Sequence, residues 1–66
     1  MIIFCNGTER DVAEGIVVSE LLVGLNLKPE TVVVECNKTI VSPDEYDGYV
    51  VPDGAQLELI RFVGGG

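Results

Sequence analysis

The 66-residue sequence has no histidine and no tryptophan, four Lys and Arg residues in all, and two cysteines. Each shortage excludes something. Without histidine there is no Ser-His-Asp triad, no imidazole acid–base pair and no His-containing zinc site. The four basic residues face eleven acidic ones, for a net charge of -7. Nucleic-acid binding needs clustered Lys and Arg to displace counterions, so the charge argues against it. The same charge disfavours an anionic membrane surface. No apolar run approaches the roughly 20 residues that span a bilayer. Met1-Ile2-Ile3-Phe4-Cys5 lacks the basic flank and small-residue cleavage site of a signal peptide. Cys5 and Cys36 are too few for an iron–sulfur cluster and have no CxxC spacing. They read as buried reduced thiols, with a disulfide as the alternative, and the expected compartment is the cytoplasm.

What is present is apolar. Hydrophobic residues make up 47% of the chain, too many for a disordered segment. The length allows one domain, burying roughly 60% of the surface its unfolded chain exposes. Residues 1–63 are expected to form that domain, and residues 64–66 a flexible glycine tail.

The apolar run 2–5 leads into Asn6-Gly7, a strong hairpin signal because both turn positions require positive φ. The return strand is expected at 8–13, with Val12 its clearest apolar position. Val17, Val18, Leu21, Leu22 and Leu25 recur at helical spacing and predict one amphipathic helix over 16–27. Its start is poorly marked, because Ile16-Val17-Val18 stands where a Ser, Thr or Asp cap is expected. Pro29 is expected to end it. Strands follow at 31–36 and 39–41 around Asn37-Lys38. Residues 42–46 read as a turn or single 3₁₀ turn, 49–51 as extended, 52–54 as a turn and 56–63 as the last strand. A hairpin, a helix and then strands predict an α+β fold: one helix across a mixed four- or five-stranded sheet.

One helix covers one sheet face. Alternation then places Ile3, Cys5, Val32, Val34, Cys36, Leu57 and Leu59 against it. Phe4, Val33, Ile60 and Phe62 fall on the open face, with acidic Glu35 and Glu58 beside them. These four form a candidate partner-docking patch; ordinary surface apolarity is the alternative. Arg61, just before the tail, is the basic residue best placed for a specific contact. The acidic stretch Asp44, Glu45 and Asp47 has no EF-hand spacing and reads as a solvated loop, so no metal site is predicted.

The sequence ends Gly64-Gly65-Gly66 directly after a strand. A frayed end is one reading. The other starts from chemistry. A terminal carboxylate is ionised at neutral pH and must be activated before acyl transfer. A segment without Cβ atoms can thread a narrow channel and carry that carboxylate into a partner's active site.

Several segments together resemble the ThiS family of sulfur carriers. They are Asn6-Gly7 after a short first strand, Gly15 followed by Glu20-Leu21-Leu22, Val34-Glu35-Cys36-Asn37-Lys38 before Ile40-Val41, and the ending Leu57-Glu58-Leu59-Ile60-Arg61-Phe62-Val63-Gly64-Gly65-Gly66. The resemblance covers the whole chain. It implies a ubiquitin-like β-grasp fold with the first and last strands parallel in the centre of the sheet. It further implies a carrier, not an enzyme, in thiamine biosynthesis. A ThiF-type enzyme would use Mg-ATP to adenylate the Gly66 carboxylate, and the carrier itself would bind no cofactor. A persulfide from a cysteine desulfurase or sulfurtransferase would convert the adenylate to a thiocarboxylate, and thiazole synthase (ThiG) would take the sulfur. Gly65 and Gly66 match the family's terminal diglycine, and Gly64 replaces a small residue before it. Val17 departs from the pattern, since members often open the helix with Thr. Alternatives are a MoaD-like small subunit of molybdopterin synthase and a ubiquitin-like interaction module with an inert tail.

Overall fold

Asn6 and Gly7 both take positive φ (51° and 81°) and fold strands β1 (Ile2–Cys5) and β2 (Thr8–Asp11) into the expected hairpin. The register pairs Ile2 with Asp11 and Cys5 with Thr8. The computed structural model describes residues 1–62; Val63 and the predicted tail, Gly64, Gly65 and Gly66, lie outside the described residues. After the hairpin come α1 (Val18–Gly24), β3 (Val32–Cys36), β4 (Thr39–Val41) and β5 (Gln56–Arg61), with 3₁₀ turns at Pro29–Thr31 and Pro43–Glu45. The sheet order is β2-β1-β5-β3-β4. β5 is parallel to β1 and antiparallel to β3. This is the β-grasp arrangement, with one helix on one face.

The helix is shorter than its periodicity suggests. It spans seven residues rather than the twelve of segment 16–27, and it stops well before Pro29. The cause is Asn26, which enters the left-handed region at φ 61°. Asn26 N–H then donates to Val23 O (3.0 Å) and Leu27 N–H to Leu22 O (2.9 Å). Together these form a Schellman closure with Asn in the place glycine usually takes. The unmarked start has a tertiary explanation. Val18 N–H donates to Tyr49 O and Ser19 N–H to Tyr46 O, both at 3.0 Å. Carbonyls of a distant loop thus satisfy donors that a local side chain would normally cap. Glu20 adds half a capping box, its carboxylate accepting from Val17 N–H at 3.0 Å.

The buried face follows the predicted alternation. Ile3, Cys5, Val32, Val34, Cys36, Leu57 and Leu59 are all buried with Val18, Leu21 and Leu22 of the helix. The loops complete the core with Val51, Ala55 and Tyr46, whose hydroxyl donates to Val32 O at 3.2 Å. β2 ends at Asp11, earlier than the predicted 8–13, and all four of its residues are exposed. Residues 49–51 contribute a single antiparallel bridge, Val50 to Val17, in place of a strand. β5 ends at Arg61, before the predicted 63.

Cys5 and Cys36 both pair with Leu57, from opposite sides. Two strand spacings, roughly 9.6 Å, separate them, beyond the roughly 7 Å that a disulfide can bridge. Both are free buried thiols.

Burial pushes the Cys5 thiol up, against a smaller downward pull from Arg10, and burial also raises the Tyr46 hydroxyl. The unfolded chain therefore releases these protons first as pH rises. Stability should be fully present below about pH 8.5, where an unfolded thiol titrates, and fall as pH rises beyond it. Urea midpoints compared at neutral and alkaline pH under reducing conditions check this. An unchanged midpoint would contradict it.

Candidate functional site

The candidate site is the open face of the sheet and the end of β5 that leads to Gly64, Gly65 and Gly66. Period-two alternation decides what that face presents. Val33 lies directly opposite Ile60, and Glu35 lies between Glu58 on β5 and Ile40 on β4. Ile60 and Phe62 are 53% and 59% exposed, large for apolar side chains. Phe62 N–H donates to Thr31 O at 2.8 Å, which holds the chain against β3 one residue past β5. Phe62 also borders a shallow groove of about 200 Å³ with Val33 and Ile40. Val33, Ile40, Ile60 and Phe62 thus form one contiguous apolar patch. Sequence reasoning missed Ile40 (66% exposed), because a three-residue strand gives too short a pattern to assign its faces.

Two predicted members lie elsewhere. Phe4 is half-buried and pairs with Gln56, four residues before Ile60. At roughly 3.3 Å per residue that is about 13 Å along the strand. Arg61 pairs with buried Val32 and so points to the helix side of the sheet, opposite to Ile60. The alternation that put Leu59 inside puts Arg61 there too.

The strand charges sort by face. Glu9 pairs with Phe4 and Asp11 with Ile2, so both lie on the open face with Glu35 and Glu58. Arg10 pairs with buried Ile3 and lies on the helix side, as Arg61 does. All four strand carboxylates are thus on one face and both strand arginines on the other. Directly opposed like charges such as Glu35 and Glu58 destabilise a sheet by a few tenths of a kcal/mol, of order 0.2–1. A partner with basic side chains would remove that repulsion.

The end of β5 is held by side chains whose role was not visible in the sequence. β1 stops at Cys5 while β5 continues to Arg61. Beyond β1 the Asn6 side chain takes over as a strand substitute: its Nδ2 donates to Leu59 O (3.1 Å), and its Oδ1 accepts from Leu59 N–H (2.8 Å). Asn37 does the same at the other end of β5, its Oδ1 accepting from Gln56 N–H at 2.9 Å. Both asparagines have φ 51°. In each turn the conformation that reverses the chain also aims the amide at β5. The only available signal was Asn as the first turn residue, which reads equally well as a plain turn former.

The acidic stretch is structural in part. Glu45 accepts from Ser42 N–H at 3.0 Å, and the Ser42 hydroxyl donates to Asp44, holding that carboxyl below its usual range. Among the described residues no three metal-ligating side chains cluster, and no helix is long and apolar enough to cross a membrane.

Asn6→Ala removes both bonds to Leu59. It should cost roughly 1–3 kcal/mol by urea unfolding and speed hydrogen exchange at the Leu59 amide. Exchange at Leu59 equal to wild type would show that the clamp does not hold the strand.

Comparison with known proteins agrees with this geometry. The ThiS family model matches residues 3–66. The crystal structure of the thiamine biosynthesis protein ThiS from Geobacter metallireducens superposes with a TM-score of 0.85 at 36% identity, covering all of both chains. A solution structure of a thiamine biosynthesis protein from the same organism superposes at 0.79, covering 100% of this chain and 88% of that one, also at 36% identity. A thiazole synthase from Magnetococcus marinus is 39% identical over 66 residues, and one from Paramagnetospirillum magneticum is 39% identical over 61 residues. These matches cover 100% and 92% of this chain but 20% and 19% of the relatives, so the chain spans about a fifth of their length. A family match across nearly the whole chain, with the same fold at 36% identity, places this chain in the ThiS family.

Proposed function

We propose that this chain is a sulfur carrier for thiazole formation in thiamine biosynthesis, with the carboxyl group of Gly66 as its working group. The observation that carries the reading is the family match, which runs through Gly64-Gly65-Gly66 and so includes the chemistry-bearing end. The relatives add support for the partner. Two thiazole synthases contain a stretch similar to this chain within much longer proteins, as expected if the two activities work side by side.

The chemistry runs in three steps. The Gly66 carboxylate attacks the α-phosphate of Mg-ATP held by a ThiF-type enzyme, and pyrophosphate leaves. A persulfide from a cysteine desulfurase or sulfurtransferase attacks the acyl carbon, and AMP leaves. Thiol reduction of the resulting acyl disulfide releases the thiocarboxylate, which delivers its sulfur to thiazole synthase. The chain acts as co-substrate, and the nucleotide belongs to its partner. We place the cycle in the cytoplasm, where free thiols such as Cys5 and Cys36 persist.

The body contributes docking. The patch of Val33, Ile40, Ile60 and Phe62 offers apolar area beside carboxylates, which suits a partner face that is apolar at its centre and basic at its rim. The acidic charge raises the rate of encounter with such a face.

Incubation with ATP, a ThiF-type enzyme and a sulfur source should raise the intact mass by the difference between sulfur and oxygen. A Gly66 deletion should show no gain. A wild-type chain whose mass never changes would overturn the carrier reading. Ile60→Ser with Phe62→Ser should weaken binding to the adenylating enzyme about tenfold or more, with the melting temperature near wild type because both side chains are exposed. Unchanged affinity would remove the patch from the docking surface.

A further inference from the structure

Of the four basic residues, Arg10 and Arg61 border the same groove, on the helix side of the sheet at the end of β5. The groove encloses about 300 Å³; Thr8, Leu25, Leu27 and Leu59 line it with the two arginines, and the buried Cys5 thiol lies among them. Arg10 lies near enough to act electrostatically on that thiol. Eleven acidic residues are available in the chain, yet no carboxylate of the described residues comes within 4 Å of either guanidinium. The one ion pair among the described residues joins the Met1 amine to Asp11 at 3.0 Å. Arg10 also borders a neighbouring groove with Glu20, Glu9 and Asp11, and none of these reaches it. Arg10 pairs with Ile3, one residue before the Phe4–Gln56 pair, so it stands about six residues, roughly 20 Å, before Arg61 along the strands, and the two arginines mark opposite ends of a leucine-walled groove that suits an extended segment carrying carboxylates.

The edge of the sheet indicates how such a segment arrives. Met1 and Val12 exchange both backbone bonds (2.6 and 2.8 Å). By antiparallel alternation Ile3–Arg10 and Cys5–Thr8 are also bonded pairs, so the Glu9 and Asp11 backbone groups face outward from β2. An extended segment can pair with that edge and place alternate side chains toward the groove.

We propose that the Arg10–Arg61 groove receives an acidic extended segment of the enzyme that adenylates Gly66. This inference rests on the carrier reading above and deepens it. Arg61 is five residues from Gly66, at most about 18 Å of chain, so an enzyme acting on that carboxyl is within reach of the groove. The contact has the opposite polarity to the one proposed for the open face. A partner must therefore present basic groups to one face and an acidic group to the other, which fixes the carrier's orientation as well as its affinity.

The test is steady-state adenylation by a purified ThiF-type enzyme, with the carrier concentration varied and pyrophosphate release recorded. A docking contact made equally in ground and transition states changes KM and leaves kcat alone. Arg10→Glu and Arg61→Glu should each raise KM for the carrier about tenfold with kcat unchanged, and Arg10→Lys should raise it less. Lys38→Glu, on the β3–β4 turn, makes the same change in net charge away from the groove and should leave KM within about threefold of wild type. Thermal melts confirm that each variant is folded. Should a Glu variant fail to fold, Arg10→Gln and Arg61→Gln are read by the same criterion. A KM within about threefold of wild type for both arginine variants, a loss confined to kcat, or an equal effect of Lys38→Glu overturns the groove assignment. Failure of the wild-type chain to be adenylated overturns the carrier reading instead, and this inference with it.

Discussion

A single seven-residue helix covers one side of a five-stranded sheet, and most of what distinguishes this molecule follows from that asymmetry. The helix supplies Val18, Leu21 and Leu22, enough to bury one set of alternate strand residues and no more. Every strand residue is therefore assigned by parity, to the helix side or to the open face. Ile3, Val32, Val34, Val41, Leu57 and Leu59 take the interior with both cysteines. Ile40, Ile60 and Phe62 remain outside with substantial exposure, and the carboxylates stand beside them.

So short a helix has little intrinsic stability, because nucleation costs more than a few internal hydrogen bonds return. Its ends are satisfied by tertiary partners instead. Carbonyls of Tyr46 and Tyr49 accept from its first turn, and the Asn26 closure finishes its last. Helix and loop therefore stand or fall together, and the same loop contributes Tyr46 and Val51 to the core. β5 is secured in a similar way. It pairs with β1 and β3, and the amides of Asn6 and Asn37 extend that pairing at its two ends. The strand that leads to the glycines is paired on both sides and held further by two side-chain amides, so the last described residues are set in a defined direction.

Parity also sorts charge. Among the charged strand residues, the open face carries only carboxylates and the helix side only arginines. Net charge alone describes an acidic body suited to basic surfaces. The sorted pattern describes something more specific: an apolar, acidic face and a cationic groove on opposite sides of the sheet. Such polarity suits the proposed carrier role, since long-range attraction speeds encounter while the mixed contacts reject wrong orientations.

Hydrophobic alternation, the Asn6-Gly7 turn and the terminal glycines were legible in the residues alone. They carried the α+β class, the single helix, the buried set and the Ile60–Val33 part of the open patch, because a period of two or 3.6 and a positive-φ turn are local properties of the chain. Tertiary structure alone decided the rest. The helix ended early because the Asn26 closure competed with continued periodicity. Phe4 separated from Ile60 because the β1–β5 register sets them about 13 Å apart. Ile40 joined the patch because β4 pairs with β3. Asn6 became a strand clamp, and Arg10 met Arg61 across one groove, because chain segments fifty residues apart were brought side by side. No local pattern encodes that juxtaposition; it exists only once the strands have found their partners.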